Sequence, residues 1–271
     1  MKYYISLFLV IFNTIFLLNN CYSQNDDKAL KDVIEKKSAD YINKMYIQKP
    51  WISNFTDADL KNLKIEKINF MIKANFTNTN LSGSELNNCN LSEVNFTNTN
   101  VSRTKFNNIN FQKAKFTNVN FNFESVMNTN FTNATFVNTS FIKATLLYSI
   151  FNEVDLSKID LRGANLNGTS FKGAIFKDAK LLFVNLSECD LSDLDLSGCD
   201  LSYSTFNSTK LKNTKLTGAI LKGAYFYETD FTGADITNAD FTDAKFIDVK
   251  FENVKKDGAK INLDFLKGEN R

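Results

Sequence analysis

Histidine is absent from this chain of 271 residues, and with it goes much of the chemistry that side chains can do. Serine and cysteine triads, imidazole zinc sites and the commonest general base all use that ring. Four cysteines are present, at Cys21, Cys89, Cys189 and Cys199. Carboxylates remain, with Asp and Glu totalling 30, and carboxylate pairs alone suffice for some hydrolytic reactions. Such a pair needs a cleft to hold it. No phosphate-binding loop and no nucleophile–base pair is recognisable. Gly163, Gly168, Gly173, Gly218, Gly223 and Gly233 follow one another at multiples of five, a rhythm of turns and not of a nucleotide loop. We therefore assign no catalytic, cofactor-binding or metal-ligating residue.

The charge balance narrows the classes further. Lys and Arg total 32 against those 30 acids, a formal net charge of +2. A nucleic-acid binder carries a basic face or tail, and a mimic of nucleic acid carries an acidic one. Neither is suggested by this balance.

What could position any functional group is set by a repeat. From Phe76 to Phe251 every fifth residue is Phe, Leu, Val or Ile, 36 positions without a miss. An earlier register holds Phe55, Leu60, Ile65 and Phe70, and the step from Phe70 to Phe76 places one inserted residue near Met71–Ala74. Neither a strand, with period 2, nor a helix, with period 3.6, wants this spacing. Two places before each large residue stands a small one, as at Ala114, Ala164, Ala219 and Ala234. Asn or Asp most often stands one place before it, and polar residues follow.

Units such as Ala58-Asp59-Leu60-Lys61-Asn62, Ala164-Asn165-Leu166-Asn167-Gly168 and Ala234-Asp235-Ile236-Thr237-Asn238 resemble the pentapeptide-repeat family. The resemblance implies an all-β solenoid, a right-handed quadrilateral β-helix in which four units make one square coil and the large and small residues both point inward. A coil of 20 residues is also visible directly, because Asn75–Asn80 recurs letter for letter as Asn95–Asn100. Residues 20 apart then stack, giving one lumen column of Phe76, Phe96, Phe116 and Phe136 and another of Phe111, Phe131, Phe151 and Phe171. Burying each such side chain is worth roughly 2 kcal/mol. About ten coils would give a rod roughly 48 Å long at the spacing of neighbouring strands.

The ends read differently. Residues 1–23 begin with Lys2 and run apolar from Ile5 to Leu18, the length and flanks of a cleaved signal peptide. Its removal takes away only Lys2 and leaves a net charge of +1, with no stable membrane span. The expected destination is secreted or extracytoplasmic. A plastid-type organelle reached by the secretory route, or lipid anchoring at Cys21, are the alternatives. Residues 24–50 carry an apolar stripe of Ala29, Leu30, Val33, Ile34, Tyr41, Ile42 and Met45, which predicts an N-terminal capping helix stopped by Pro50. The repeat domain is expected over 51–255 and a C-terminal cap or tail over 256–271.

Three features depart from plain repetition. Cys89, Cys189 and Cys199 occupy small inward positions and read as core residues. Glu124 is the one charged residue at such a position, and Asn122–Ser125 is expected to bulge so that it turns out. Twelve N-x-Ser/Thr sequons follow automatically from Asn before the large residue and Ser or Thr after it.

Function is sought on the outer walls. Leu182, Phe183 and Tyr203 point outward, as do Met127, Leu147 and Tyr148, and exposed apolar clusters mark partner surfaces. A protein partner or self-association is the expectation, with the chain acting as a non-enzymatic scaffold. Thr77, Thr97 and Thr117 beside Asn78, Asn98 and Asn118 form a polar ladder that a glycan or other ordered polymer surface could engage. The family resemblance also implies a gyrase- or topoisomerase-binding DNA mimic as an alternative.

Overall fold

The computed structural model describes residues 54–67 and 71–262. The expected signal peptide and capping helix, and most of the C-terminal tail, lie outside the described residues. Within them the chain winds as a parallel β-solenoid with four walls and no helix.

Each wall is short because each unit ends in a tight turn. In most units outside the three-residue strands the carbonyl of the large inward residue accepts the N–H three places on, from Ala58 to Phe55 at 3.1 Å, Thr104 to Val101 at 3.0 Å and Ala234 to Phe231 at 2.9 Å. The residue just before that donor has positive φ, 60° at Asp57, 58° at Arg103 and 74° at Gly233. This is the type II turn, which favours Gly or Asn there. Asn or Asp before the large residue adds a second constraint. Its side-chain oxygen accepts the N–H two residues on, as in Ser192 to Asp190 at 3.1 Å and Thr97 to Asn95 at 3.2 Å. The triplets Asp-Leu-Ser and Asn-Phe-Thr are thus small hydrogen-bonded units in their own right.

Backbone bonds then join each coil to the next. The 20-residue period is explicit in the pairing of Phe96 with Phe116 and of Phe116 with Phe136. Strands long enough to be named are three residues each. The wall centred on Leu86 contains β1 (Lys64–Glu66), β2 (Glu85–Asn87), β4 (Lys105–Asn107) and β6 (Ser125–Met127), and farther along β8 (Tyr225–Tyr227) and β9 (Lys245–Ile247). The wall centred on Phe76 contains β3 (Asn95–Thr97), β5 (Lys115–Thr117) and β7 (Thr135–Val137). Single bridges continue the ladders on all four walls.

The lumen is filled. Rings stack up each wall, Phe111 on Phe131 at 5.4 Å and Phe131 on Phe151 at 4.7 Å between centroids. Rings on adjoining walls meet edge to face, Phe111 against Phe116 at 5.2 Å and 85°. Phe111, Phe131, Phe151 and Phe171 are all fully buried. The small inward residues close the corners, and where they are hydroxylated the group is satisfied. Thr104 donates to the Leu81 carbonyl at 2.8 Å and Thr214 to that of Leu191 at 2.8 Å, as buried polar groups require.

One expectation is corrected here. Met71 already stands in the second register, five residues before Phe76, so the inserted residue does not fall within Met71–Ala74: Met71 is buried, and its carbonyl accepts the Ala74 N–H at 3.2 Å. Pairs are 21 apart below this point, as Asn54 with Asn75, and 20 apart above it. The change of phase therefore precedes Met71.

Candidate interaction surface

With the lumen packed, functional groups are confined to the walls and corners. The corner leading into the Leu86 wall carries Phe123, Lys143, Gly163, Phe183, Tyr203 and Gly223 in successive coils. Phe183 and Tyr203 stack with centroids 5.1 Å apart and planes 16° apart, while remaining 56% and 58% exposed. Leu182 beside them is half-buried. Gly223 makes room for the Tyr203 ring, because a Cβ there would lie 2.7 Å from it. Phe123, 71% exposed, has the Lys143 ammonium 5.7 Å from its ring centroid. Its outward place was readable from its 60-residue offset to Phe183, but reading 122–125 as a bulge hid it.

The second apolar group lies on the Leu86 wall and its far corner. Met127 and Leu147 stand at equivalent places in neighbouring coils and are half-buried, and Tyr148 is exposed. Higher on the same wall are Tyr225, Tyr227 and Ile247, paired through Tyr225 with Lys245 and Tyr227 with Ile247. Sequence reasoning did not single these three out, although each stands next to a lumen residue on the wall that Tyr203 borders. The two clusters Leu182–Phe183–Tyr203 and Met127–Leu147–Tyr148 thus flank one wall at different heights.

The polar ladder is bonded to itself. Asn98 donates to Asn78 at 3.0 Å, Asn118 to Asn98 at 2.8 Å and Asn138 to Asn118 at 3.1 Å. Thr77 and Thr97 donate to the Asn75 and Asn95 side-chain oxygens at 2.6 and 2.7 Å. Thr117 continues the column beside Thr97.

Charges alternate along the walls. Asp160 faces Lys180, Asp190 faces Lys210, Asp195 faces Lys215 and Asp235 faces Lys255, at 3.6 to 4.0 Å. Asp240 is met by both Lys222 and Lys260. Among the described residues these columns form no continuous acidic stripe. Several carboxyls are held below the usual range. The Ser157, Ser197, Thr237 and Thr242 hydroxyls do this first for Asp155, Asp195, Asp235 and Asp240 respectively, aided by the backbone N–H of the same residues.

Cys89, Cys189 and Cys199 are buried and form no disulfide with one another. Burial pushes Cys189 up to about 12 and Cys199 up to about 11, the opposite of a nucleophile's thiol. Cys189 contacts the Leu166 carbonyl at 3.1 Å, taking the place that Thr hydroxyls take in other coils. Glu124 is half-buried, and its carboxylate accepts the Arg103 N–H at 2.8 Å. The coil keeps its turn, with Glu124 N–H bonded to Phe121 at 3.1 Å, and only the side chain swings out.

Comparisons with known proteins agree with this architecture. The family described as Pentapeptide repeats (8 copies) matches residues 53–92, 74–112, 95–124, 128–157 and 219–255. A related description, Pentapeptide repeat region, matches 149–226. Curated protein sequences yield no match. Among solved structures, a trypsin-treated form of QnrB1, a plasmid-mediated fluoroquinolone resistance protein, is 21% identical with a TM-score of 0.55, covering 76% of this chain and 94% of its own. HetL, a pentapeptide repeat protein involved in heterocyst differentiation regulation from the cyanobacterium Nostoc sp. strain PCC 7120, is 17% identical with a TM-score of 0.44, covering 82% and 96%. A pentapeptide repeat protein of the Arabidopsis thaliana thylakoid lumen is 37% identical over 34% of this chain and 63% of its own, with a TM-score of 0.33. The repeat, its 20-residue coil and the family match coincide over the same residues, and the chain belongs to the pentapeptide repeat family.

Proposed function

We propose that this chain is a non-enzymatic binding module, a stiff rod that docks a protein partner on the Leu86 wall and its Phe183–Tyr203 corner. The observation that carries the reading is the stacked, exposed pair of rings on a backbone hydrogen-bonded to the next coil at both residues. Aromatic side chains of this kind present large contact area at small entropic loss, and Tyr is enriched where binding energy concentrates. Tyr225 and Tyr227 extend the surface, and Asn185, Thr205 and Asn207 supply a polar surround. The alternating Asp and Lys columns favour this over a DNA mimic, which needs charge of one sign. The expected signal peptide places the rod outside the cytoplasm, where such a module would act as a scaffold.

The test is affinity capture from the native source with tagged chain and with a Phe183→Ser/Tyr203→Ser variant. A protein retained by the first and lost from the second supports the reading. Identical capture by both, with both folded, removes the corner as the docking site. Light scattering of the purified chain shows whether the partner is a second copy. Mass measurement of the exported chain checks cleavage after Ser23.

A further inference from the structure

Beside the Glu124 coil the inter-coil ladder opens into a cleft. Elsewhere on the wall centred on Leu81, successive coils are bonded through equivalent residues. Leu81 N–H reaches the Asn100 carbonyl at 2.8 Å, Asn100 N–H that of Thr79 at 2.9 Å, and Phe121 N–H that of Ser140 at 2.9 Å. Asn80 pairs with Asn100, and Asn120 with Ser140. Between these two pairs no bridge joins Asn100 to Asn120, and no bond joins Val101 N–H to the Asn120 carbonyl.

Glu124 stands beside this break. Bridges are also missing between Thr135 and Asp155 and between Ile175 and Asp195 on another wall, but among the described residues only here does a side-chain carboxylate take the place of the next coil's carbonyl. Other units put Ala, Ser, Thr, Cys, Val, Ile or Leu at this inward place, and a carboxylate cannot be buried there unpaired. It turns outward and takes the Arg103 N–H, a group whose counterparts in Gly83 and Lys143 bond the next coil at 2.9 Å. Burial still raises the Glu124 carboxyl above the usual range, against the opposing Arg103 and Thr104 N–H groups.

The result is a cleft of about 430 Å³ lined by Asn100, Val101, Asn120, Asn122, Phe123 and Glu124, within the roughly 300–1,000 Å³ of small-molecule sites. Its groups are of three kinds. The Phe123 ring offers a flat apolar face. The Asn120 amide nitrogen is left over, whereas that of Asn100 is bonded to Asn80 at 3.2 Å. Asn122 is fixed by accepting from Ser140 at 2.8 Å and Ile142 at 2.7 Å, which leaves its amide nitrogen as a donor. The open rung adds the peptide N–H of Val101 and the carbonyls of Asn120 and Asn122.

We infer that this cleft binds a neutral saccharide bearing an acetamido group. A sugar ring lays its C–H face on Phe123, its hydroxyls donate to Glu124 and accept from the two asparagines, and the acetamide, being a secondary amide, pairs with the open peptide rung. An extended peptide satisfies the rung but does not use the ring face and carboxylate together.

The experiment is titration of the full chain with N,N′-diacetylchitobiose, with cellobiose, which lacks the acetamides, and with a terminally blocked trialanine, followed by calorimetry and amide NMR. The diacetylated sugar is expected to bind saturably, and cellobiose at least about tenfold more weakly. Phe123→Ser is expected to lose at least about tenfold in affinity. Glu124→Ala restores the small inward residue, so it is expected to close the rung, abolish binding and slow hydrogen exchange at Val101 and Asn120. Thermal melts of both variants show that they fold. No saturable sugar binding, unchanged affinity in folded Phe123→Ser, or preference for the peptide would overturn the assignment. Equal affinity for cellobiose would overturn its acetamido part. The docking corner is untouched by these outcomes, since neither variant alters Phe183 or Tyr203.

Discussion

The Tyr203 ring lies on the Phe183 ring one coil away, 5.1 Å between centroids, and both rings stay more than half exposed. Stacking beyond the area buried is worth about 0.5–1.5 kcal/mol in general, and less is expected at a corner so exposed. Phe183→Ser and Tyr203→Ser, singly or together, should therefore lower stability by no more than about 1 kcal/mol. Urea unfolding of the three variants measures this. A partner lost at such small cost in stability has been lost through contact and not through unfolding, which separates docking from folding.

The lumen should behave in the opposite way. Phe131 is fully buried between Phe111 and Phe151, with Phe116 and Phe136 on the adjoining wall. Phe131→Ala leaves a cavity that these rings cannot all collapse into. A loss of about 3–5 kcal/mol is expected from the transfer and cavity terms together. Because each coil contacts only its neighbours, hydrogen exchange should rise most near 111–151 and least near the Phe231 coil. Uniform exchange along the rod would contradict this local response.

Much of this was legible in the sequence because one constraint repeats. The lumen residue at every fifth place, the 20-residue coil and the outward corner residues follow from spacing alone. What was not legible depended on competition between neighbours. Phe70 and Met71 are both large and apolar, so the spacing alone did not place the inserted residue, and the turn bond from Ala74 to Met71 is what shows Met71 in register with Phe76. Glu124 announced an exception but not its form, since the turn at Phe121 survives and the ladder beside it does not. The Thr and Asn columns were expected as a polar ladder that an ordered polymer surface could engage. Their amides and hydroxyls bond mainly to one another, and that follows from the closeness of the coils, which the type of residue does not reveal.

Corner glycines give a sharper test of coil-to-coil contact. Gly168 has φ of +65°, and a Cβ there would sit 2.4 Å from the Tyr148 ring. Gly168→Ala adds backbone strain of about 1–2 kcal/mol and forces the ring aside. Tyr148→Ser removes the clash but not the strain. The double variant should thus recover part of the stability lost by Gly168→Ala, and a double-mutant cycle from thermal melts measures the coupling. Strict additivity would mean that Tyr148 does not rest on that corner in solution.

Acid should loosen the rod through its turn carboxylates. Asp155, Asp195, Asp235 and Asp240 have carboxyls held down chiefly by the Ser or Thr hydroxyl two residues on. A folded-state value below the unfolded one means that ionisation favours the fold. That contribution is complete above the unfolded carboxyl range, near pH 4, and is lost as pH falls through the folded values. Asn can accept the same N–H without titrating, as Asn95 does for Thr97 at 3.2 Å. Replacing all four Asp by Asn should therefore flatten the fall in melting temperature below about pH 4. At neutral pH the variant should melt somewhat lower than the parent, because Asp195, Asp235 and Asp240 also face Lys215, Lys255 and Lys260. Salt should narrow that neutral-pH gap, since exposed pairs are screened, while leaving the acid response in place. An equally steep acid transition in parent and variant would show that other carboxylates govern it.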